Sequence, residues 1–130
     1  MKLPFRQHYP VAVWPMLVLA FHGIVTVLGV YEVLPWFDTV LHFLGGVSIA
    51  IGTTFIIKHL EYGNELKTIP AVKVVLVLSI TTLAAVLWEL FEYDLTFLFG
   101  IITQPSVYDT MKDLAAGLLG AVVVSIFYRR

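Results

Sequence analysis

The chain has 130 residues, 59% of them hydrophobic and 13% charged, with a mean hydropathy of +0.91. That is too apolar for a soluble domain of this size to hide in one core, so the chain reads as an integral membrane protein. Eight Lys plus Arg against nine Asp plus Glu leave no basic surface to hold phosphates, which excludes nucleic-acid binding. The absence of Cys excludes disulfides, thiolate metal sites and cysteine nucleophiles, so any metal must be held by O and N ligands.

A helix crossing a hydrocarbon core needs about 20 apolar residues. Four runs qualify, at about 11–30, 36–57, 71–99 and 109–127. The expected fold class is all-α: a polytopic membrane protein, a single integral membrane domain built as a bundle of four transmembrane helices. The first run holds Pro15 and His22 within a full-length span and lacks the short apolar core and cleavage site of a signal peptide. It is expected to be retained, with a kink at Pro15. Basic residues fall at Lys2 and Arg6, at Lys58, Lys67 and Lys73, and at Arg129 and Arg130. Around residues 31–35 and 100–108 there are none, so the positive-inside rule puts both termini and the central loop in the cytoplasm. Localisation in the cell (inner) membrane follows as the expectation.

Charged groups within a span cost at least roughly 2.5 to 3.5 kcal/mol each, and normally face the bundle interior at a site. Three pairs stand out. Asp38 and His42 are four apart at the start of the second run, Glu89 and Glu92 three apart late in the third, and Asp109 and Asp113 four apart opening the fourth. Each spacing places both members on one helix face. With the expected topology all three pairs lie toward the outer leaflet, although a third helix reaching Phe99 would leave Glu89 about 15 Å below its end. Small residues continue the same stripes: Gly45, Gly46 and Ala50 after His42, Ala85 and Thr82 before Glu89, and Gly117 and Gly120 after Asp113. They let helices approach closely, which turns the polar stripes inward.

Five carboxylates and one His in a low-dielectric space need compensation, and Lys112, about 100° around the helix from Asp113, is expected to point away. Two physical answers stay open: bound divalent cations, or protonated carboxyls. Mixed carboxylate and imidazole donors suit Mn²⁺, Fe²⁺ or Zn²⁺ better than Ca²⁺, with enough ligands for two ions. The metal-ligand set is Asp38, His42, Glu89, Glu92, Asp109 and Asp113. Each pair also has a plain structural reading: Asp38 and Asp109 can open helices, His42 can bond across them, and Glu89 and Glu92 can begin an extended outer loop of solvated acids that includes Asp94. His22 lies at the depth of His42. It can join a bis-histidine haem, which would leave five acids unexplained, add a ligand to the acidic site, or bond to a backbone carbonyl, the reading favoured here. His8 and His59 sit in the flanks with no assigned role.

Asp38, His42, Gly45-Gly46, Trp88-Glu89-Leu90-Phe91-Glu92, Tyr108-Asp109-Thr110, Lys112-Asp113-Leu114 and Gly120-Ala121 together form an ordered pattern. It resembles the YjdF-type family of small bacterial and archaeal inner-membrane proteins, and more remotely the VanZ-like proteins linked to glycopeptide (teicoplanin) resistance. The VanZ-like pattern has a Gln where this chain has Glu92. The resemblance covers about residues 36–121 and implies a polytopic protein with acidic residues in the membrane, without implying a reaction.

The leading expectation is an intramembrane acidic/His divalent-metal site opening toward the outer leaflet. If catalytic, it would use a metal-activated water as nucleophile and a spare carboxylate as base on a lipid-linked phosphate or ester. The alternatives are proton or cation transport through the carboxylates, and binding of a lipid or envelope precursor. Membrane lipid is the expected partner. The Gly117 to Gly120 face serves either a homo-oligomer or the internal packing, and both stay open.

Overall fold

A computed structural model describes residues 11–128. Lys2, Arg6, His8, Arg129 and Arg130, used above for orientation or set aside, lie outside the described residues. The order is α1 (Val13–Val27), α2 (Val30–Val33), α3 (Trp36–Tyr62), α4 (Pro70–Phe99) and α5 (Val107–Tyr128), with no strand among the described residues.

Three of these helices, α3, α4 and α5, are long and apolar enough to cross a membrane. The fourth expected span is shorter than the apolar run that encodes it. α1 has 15 residues, about 22 Å against a hydrocarbon core of about 30 Å. Its end is set by Gly29, which at φ 67 takes the left-handed conformation that closes a helix at no Cβ cost. The chain then makes the single turn α2 before Pro35 and Trp36 open α3. Pro15 is the third residue of α1, where a backbone N–H has no intrahelical partner in any case, so it opens the helix where a kink was expected.

α3 runs to Tyr62, beyond the expected 57, because Lys58 to Tyr62 favour helix well enough to continue past the apolar stretch. The connection to α4 is pinned by Lys73 and Glu61 (Nζ–Oε2 2.7 Å) and by Thr68, whose hydroxyl donates to Glu61. Pro70 occupies the first turn of α4, and the preceding Ile69 is extended, as a residue before proline prefers. α4 stops at Gly100, whose left-handed φ of 69 closes the helix, with the Gly100 N–H bonded to the Thr96 carbonyl and the Ile101 N–H reaching back to the Leu95 carbonyl.

α3 is the central helix, packed against α1, α4 and α5. Its closest neighbour is α5, and glycines make the approach. A Cβ on Gly46 would lie 2.1 Å from the Gly117 carbonyl oxygen, and one on Gly120 would lie 2.5 Å from the Phe43 carbonyl oxygen. Gly117 and Gly120 are therefore used within the chain, one of the two roles open from the sequence. The apolar core, Ala50, Ile57, Val77, Ala121 and Val124, fills the far end of this bundle. On α4 the inward hydroxyl is Thr81, fully buried, whereas the expected Thr82 is exposed. Leu83, Leu87 and Leu90 on α4, with Leu119 and Ile126 on α5, face outward, as they do where lipid is the solvent.

Candidate functional site

At the other end of the bundle the polar residues meet. His22 from α1, Asp38 and His42 from α3, Glu89 and Glu92 from α4 and Asp113 from α5 are all buried, from 8% exposed at His42 down to 2% at Asp113. Asp38 and His42 lie in the first two turns of α3, four apart, so they share its inner face. Asp113 lies in the second turn of α5 on the stripe that continues to Gly117 and Gly120.

Glu89 stands ten residues before the end of α4, so the depth mismatch expected from the sequence does exist, and the connection to α5 resolves it. After Gly100 the chain folds back along α4. Thr103 Oγ1 donates to the Glu92 carbonyl (2.9 Å), Thr96 Oγ1 to the Ile101 carbonyl (2.9 Å), and Gln104 Nε2 to the Glu89 carboxylate (2.9 Å). Ser106 then caps α5, its hydroxyl accepting the Asp109 N–H at 3.2 Å. α5 thus begins beside Glu89 and Glu92, two turns and more below the tip of α4.

The buried nitrogens and oxygens stand closer than free charges would and farther than most hydrogen bonds allow. His42 Nε2 is 3.6 Å from Asp38 Oδ1 and 3.8 Å from Glu92 Oε2, and His42 Nδ1 is 3.6 Å from Glu89 Oε1. His22 Nδ1 is 3.5 Å from Asp38 Oδ1. Contacts of this length are not hydrogen bonds. Asp38 Oδ1, His42 Nε2, Glu89 Oε1 and Asp113 Oδ1 are buried with no hydrogen-bond partner. An orphaned buried polar atom costs about 1 to 3 kcal/mol, more when charged, so four in one place call for a shared partner. With metal–ligand bonds of about 2.0 to 2.2 Å, two donors on one ion sit roughly 3 to 4 Å apart, which matches these separations. Donor atoms within 4.8 Å of one another form three sets that can hold an ion: His22, Asp38, His42 and Glu92; His42, Glu89 and Asp113; and Asp38, Asp109 and Asp113.

Two residues differ from their expected roles. His22 does not turn to a backbone carbonyl. Its Nε2 meets Glu92 Oε1 at 3.0 Å, and its Nδ1 meets the Tyr31 hydroxyl from α2 at 2.8 Å. Burial, reinforced by the Asp38 charge, holds the Tyr31 hydroxyl well above its ordinary range, so it stays a neutral phenol. The Tyr31 hydroxyl thereby fixes the orientation of the His22 ring. Lys112 does not point away. Its long stem bends so that Nζ lies 2.5 Å from Asp109 Oδ1 and 3.8 Å from Asp113 Oδ2. Asp109 accordingly sits half-buried at the rim with a cation of its own. Beyond Tyr31, the sequence reading also missed Gln104 and Thr103, whose signal was a polar pair directly after the apolar Ile101 and Ile102.

An apolar cavity of about 220 Å³ runs from this cluster toward the middle of the bundle, between α1, α3 and α4. His22, His42 and Trp88 line its polar end, while Met16, Ile49 and Ala84 line its body. Among the described residues α1 makes close backbone contact with α2 and α3 and none with α4, so the cavity lies where two helices stay apart.

No curated protein and no solved structure matches the chain. A family model described as "Predicted membrane protein (DUF2238)" matches residues 1–130, the whole length. The chain belongs to that family of predicted membrane proteins.

Proposed function

We propose that the protein is a multi-pass membrane protein whose buried His/Asp/Glu cluster binds divalent metal, Mn²⁺, Fe²⁺ or Zn²⁺, and acts on a lipid-like substrate. One observation carries this reading: imidazole nitrogens and carboxylate oxygens from three helices, several of them unpartnered, stand 3.5 to 3.8 Å apart in a buried space. The donor chemistry, borderline nitrogen with hard oxygen, suits these ions. Bound there, an ion would polarise a phosphoryl or ester oxygen. Of the protein's own groups, Tyr31 and Gln104 orient His22 and Glu89.

The lipid-like substrate is supported by the cavity. It meets the cluster at His22 and His42 and continues as an apolar slot toward the bundle centre. A lipid of the leaflet nearest the cluster would enter with its head at the metal and its chain along the slot, in its ordinary orientation. The basic residues Lys58, Lys67 and Lys73 mark the opposite end as cytoplasmic, which makes that leaflet the outer one. In this reading α1 completes a four-span bundle with both termini inside, and the YjdF-type and VanZ-like resemblances are in keeping with an envelope protein of the inner membrane.

The test is the metal content of tag-free, detergent-purified protein by elemental mass spectrometry. Wild type is expected to hold at least one divalent ion per chain. The double variant Asp38→Asn/His42→Ala takes a donor from every candidate set and is expected to fall to background. A wild-type protein that stays metal-free after incubation with Mn²⁺, Fe²⁺ and Zn²⁺ would overturn this reading. It would favour protonated carboxyls serving proton or cation transport, to be read as flux across liposomes that Glu89→Gln abolishes.

A further inference from the structure

The geometry points to a two-ion centre in which the His42 ring is shared, Nε2 serving one ion and Nδ1 the other; this rests on the metal reading above. A histidine on a single ion presents one nitrogen to the metal and donates the other N–H to a hydrogen-bond acceptor. His42 does neither. Its Nε2 faces Asp38 Oδ1 (3.6 Å) and Glu92 Oε2 (3.8 Å), and its Nδ1 faces Glu89 Oε1 (3.6 Å), all beyond hydrogen-bond length. Asp38 Oδ1 and Glu89 Oε1, on opposite sides of the ring, are buried and unpartnered, and so is His42 Nε2. Two of the three donor sets divide the same way, the third, Asp38, Asp109 and Asp113, having its Asp109 paired with Lys112. His22, Asp38, His42 and Glu92 form one, His42, Glu89 and Asp113 the other, and His42 is the member they share.

Charge decides between one ion and two. The two sets hold four buried carboxylates, Asp38 and Glu92 in the first and Glu89 and Asp113 in the second. The nearby cation, Lys112, is taken by Asp109 at 2.5 Å and is 3.8 Å from Asp113. One divalent ion would leave two buried carboxylates uncompensated, at several kcal/mol each. A ring that binds through both nitrogens gives up its N–H proton to solvent and adds one negative charge, so two divalent ions leave a single negative charge where one ion would leave two, with Lys112 matching Asp109. The sets are also unequal: four protein donors complete a tetrahedral shell, whereas three leave a position open to an outside ligand. The ion between His42, Glu89 and Asp113 therefore keeps an open position, and the four-donor ion, whose His22 and His42 line the end of the cavity, fixes the other face of the ring.

Metal-free protein loaded with Mn²⁺ alone provides the test. Wild type is expected to saturate at about two ions per chain, with an exchange-coupled signal in low-temperature electron paramagnetic resonance. His22→Ala removes a donor from the first set only and Glu89→Gln from the second only. Each is expected to halve the manganese content and leave the spectrum of an isolated ion. Saturation of wild type at one ion overturns the inference while leaving a one-ion centre intact, as does complete loss of metal in both variants. Two uncoupled ions in wild type overturn the shared ring without reference to any substitution, so misfolding of a variant does not blunt the test. No bound Mn²⁺ in wild type overturns both the inference and the metal reading.

Discussion

His22 on α1 and Glu92 on α4 lie seventy positions apart in the chain and 3.0 Å apart in space, Nε2 to Oε1. Among the described residues α1 makes close backbone contact with α2 and α3 and none with α4, so this buried link ties the first helix to the far side of the bundle. It predicts a structural cost that does not depend on metal. In excess chelator, His22→Ala is expected to lose roughly 1 to 3 kcal/mol, the cost of an orphaned buried carboxylate, read as a lower thermal midpoint in detergent. His59→Ala, on an exposed position of α3, is expected to stay within about 0.5 kcal/mol of wild type. Equal midpoints for the two variants would remove the link from the account.

Gly46→Ala and Gly23→Ala test the glycine seam between α3 and α5. A methyl on Gly46 meets the Gly117 carbonyl oxygen at 2.1 Å, and backbone cannot yield as a flexible side chain would. That substitution is expected to cost roughly 1 to 3 kcal/mol or more as the helices are forced apart. Gly23 has nothing within 4 Å of the added carbon, so its replacement is expected to be neutral or to stabilise by about 1 kcal/mol through helix propensity. Thermal unfolding of the two variants side by side decides the point.

Gln104 holds Glu89 from outside the cluster, its Nε2 2.9 Å from Oε2. Loss of such an orienting partner typically weakens a metal site 10- to 100-fold, roughly, without removing a ligand. Gln104→Ala is expected to bind divalent metal that much more weakly in a competition titration against a chelating dye. Unchanged affinity would mean that Glu89 needs no such orientation.

Lys112→Met separates the two kinds of compensation. Lys112 stands at 2.5 Å from Asp109 and 3.8 Å from Asp113, so removing its charge leaves more negative charge beside the cluster. The metal-free variant is expected to melt below wild type, and added Mn²⁺ to raise its midpoint by more than it raises that of wild type, because the ion then replaces the lost cation as well. An equal metal-induced shift would show that the lysine and the ion do not share the same field.

The sequence carried the acidic site because helices convert spacing into faces. Asp38 with His42, Glu89 with Glu92, and Asp113 with Gly117 and Gly120 each lie on one stripe, and an ionisable residue in an apolar run is seldom idle. What it hid were the parts that periodicity cannot encode. The return of residues 100–106 along α4, which cancels the depth mismatch of Glu89, depends on hydroxyl and amide contacts of Thr96, Thr103 and Gln104 that no spacing rule exposes. His22 stood at the right depth, but its choice between a carbonyl, a haem and Glu92 depended on how α1 leans. Lys112 was assigned by its position around the helix, and its four-carbon stem let the ammonium go elsewhere. α1 is shorter than its apolar run because Gly29 ends the helix within that run.

The central claim is that a divalent ion sits among His22, Asp38, His42, Glu89, Glu92 and Asp113, and X-ray absorption at the metal K edge tests it most directly. Wild-type protein loaded with Zn²⁺ is expected to show a mixed nitrogen and oxygen shell at about 2.0 to 2.2 Å with the outer scattering of imidazole carbons. In Asp38→Asn/His42→Ala that imidazole signature is expected to vanish. A spectrum of water oxygens alone, the same in wild type and variant, would contradict the account.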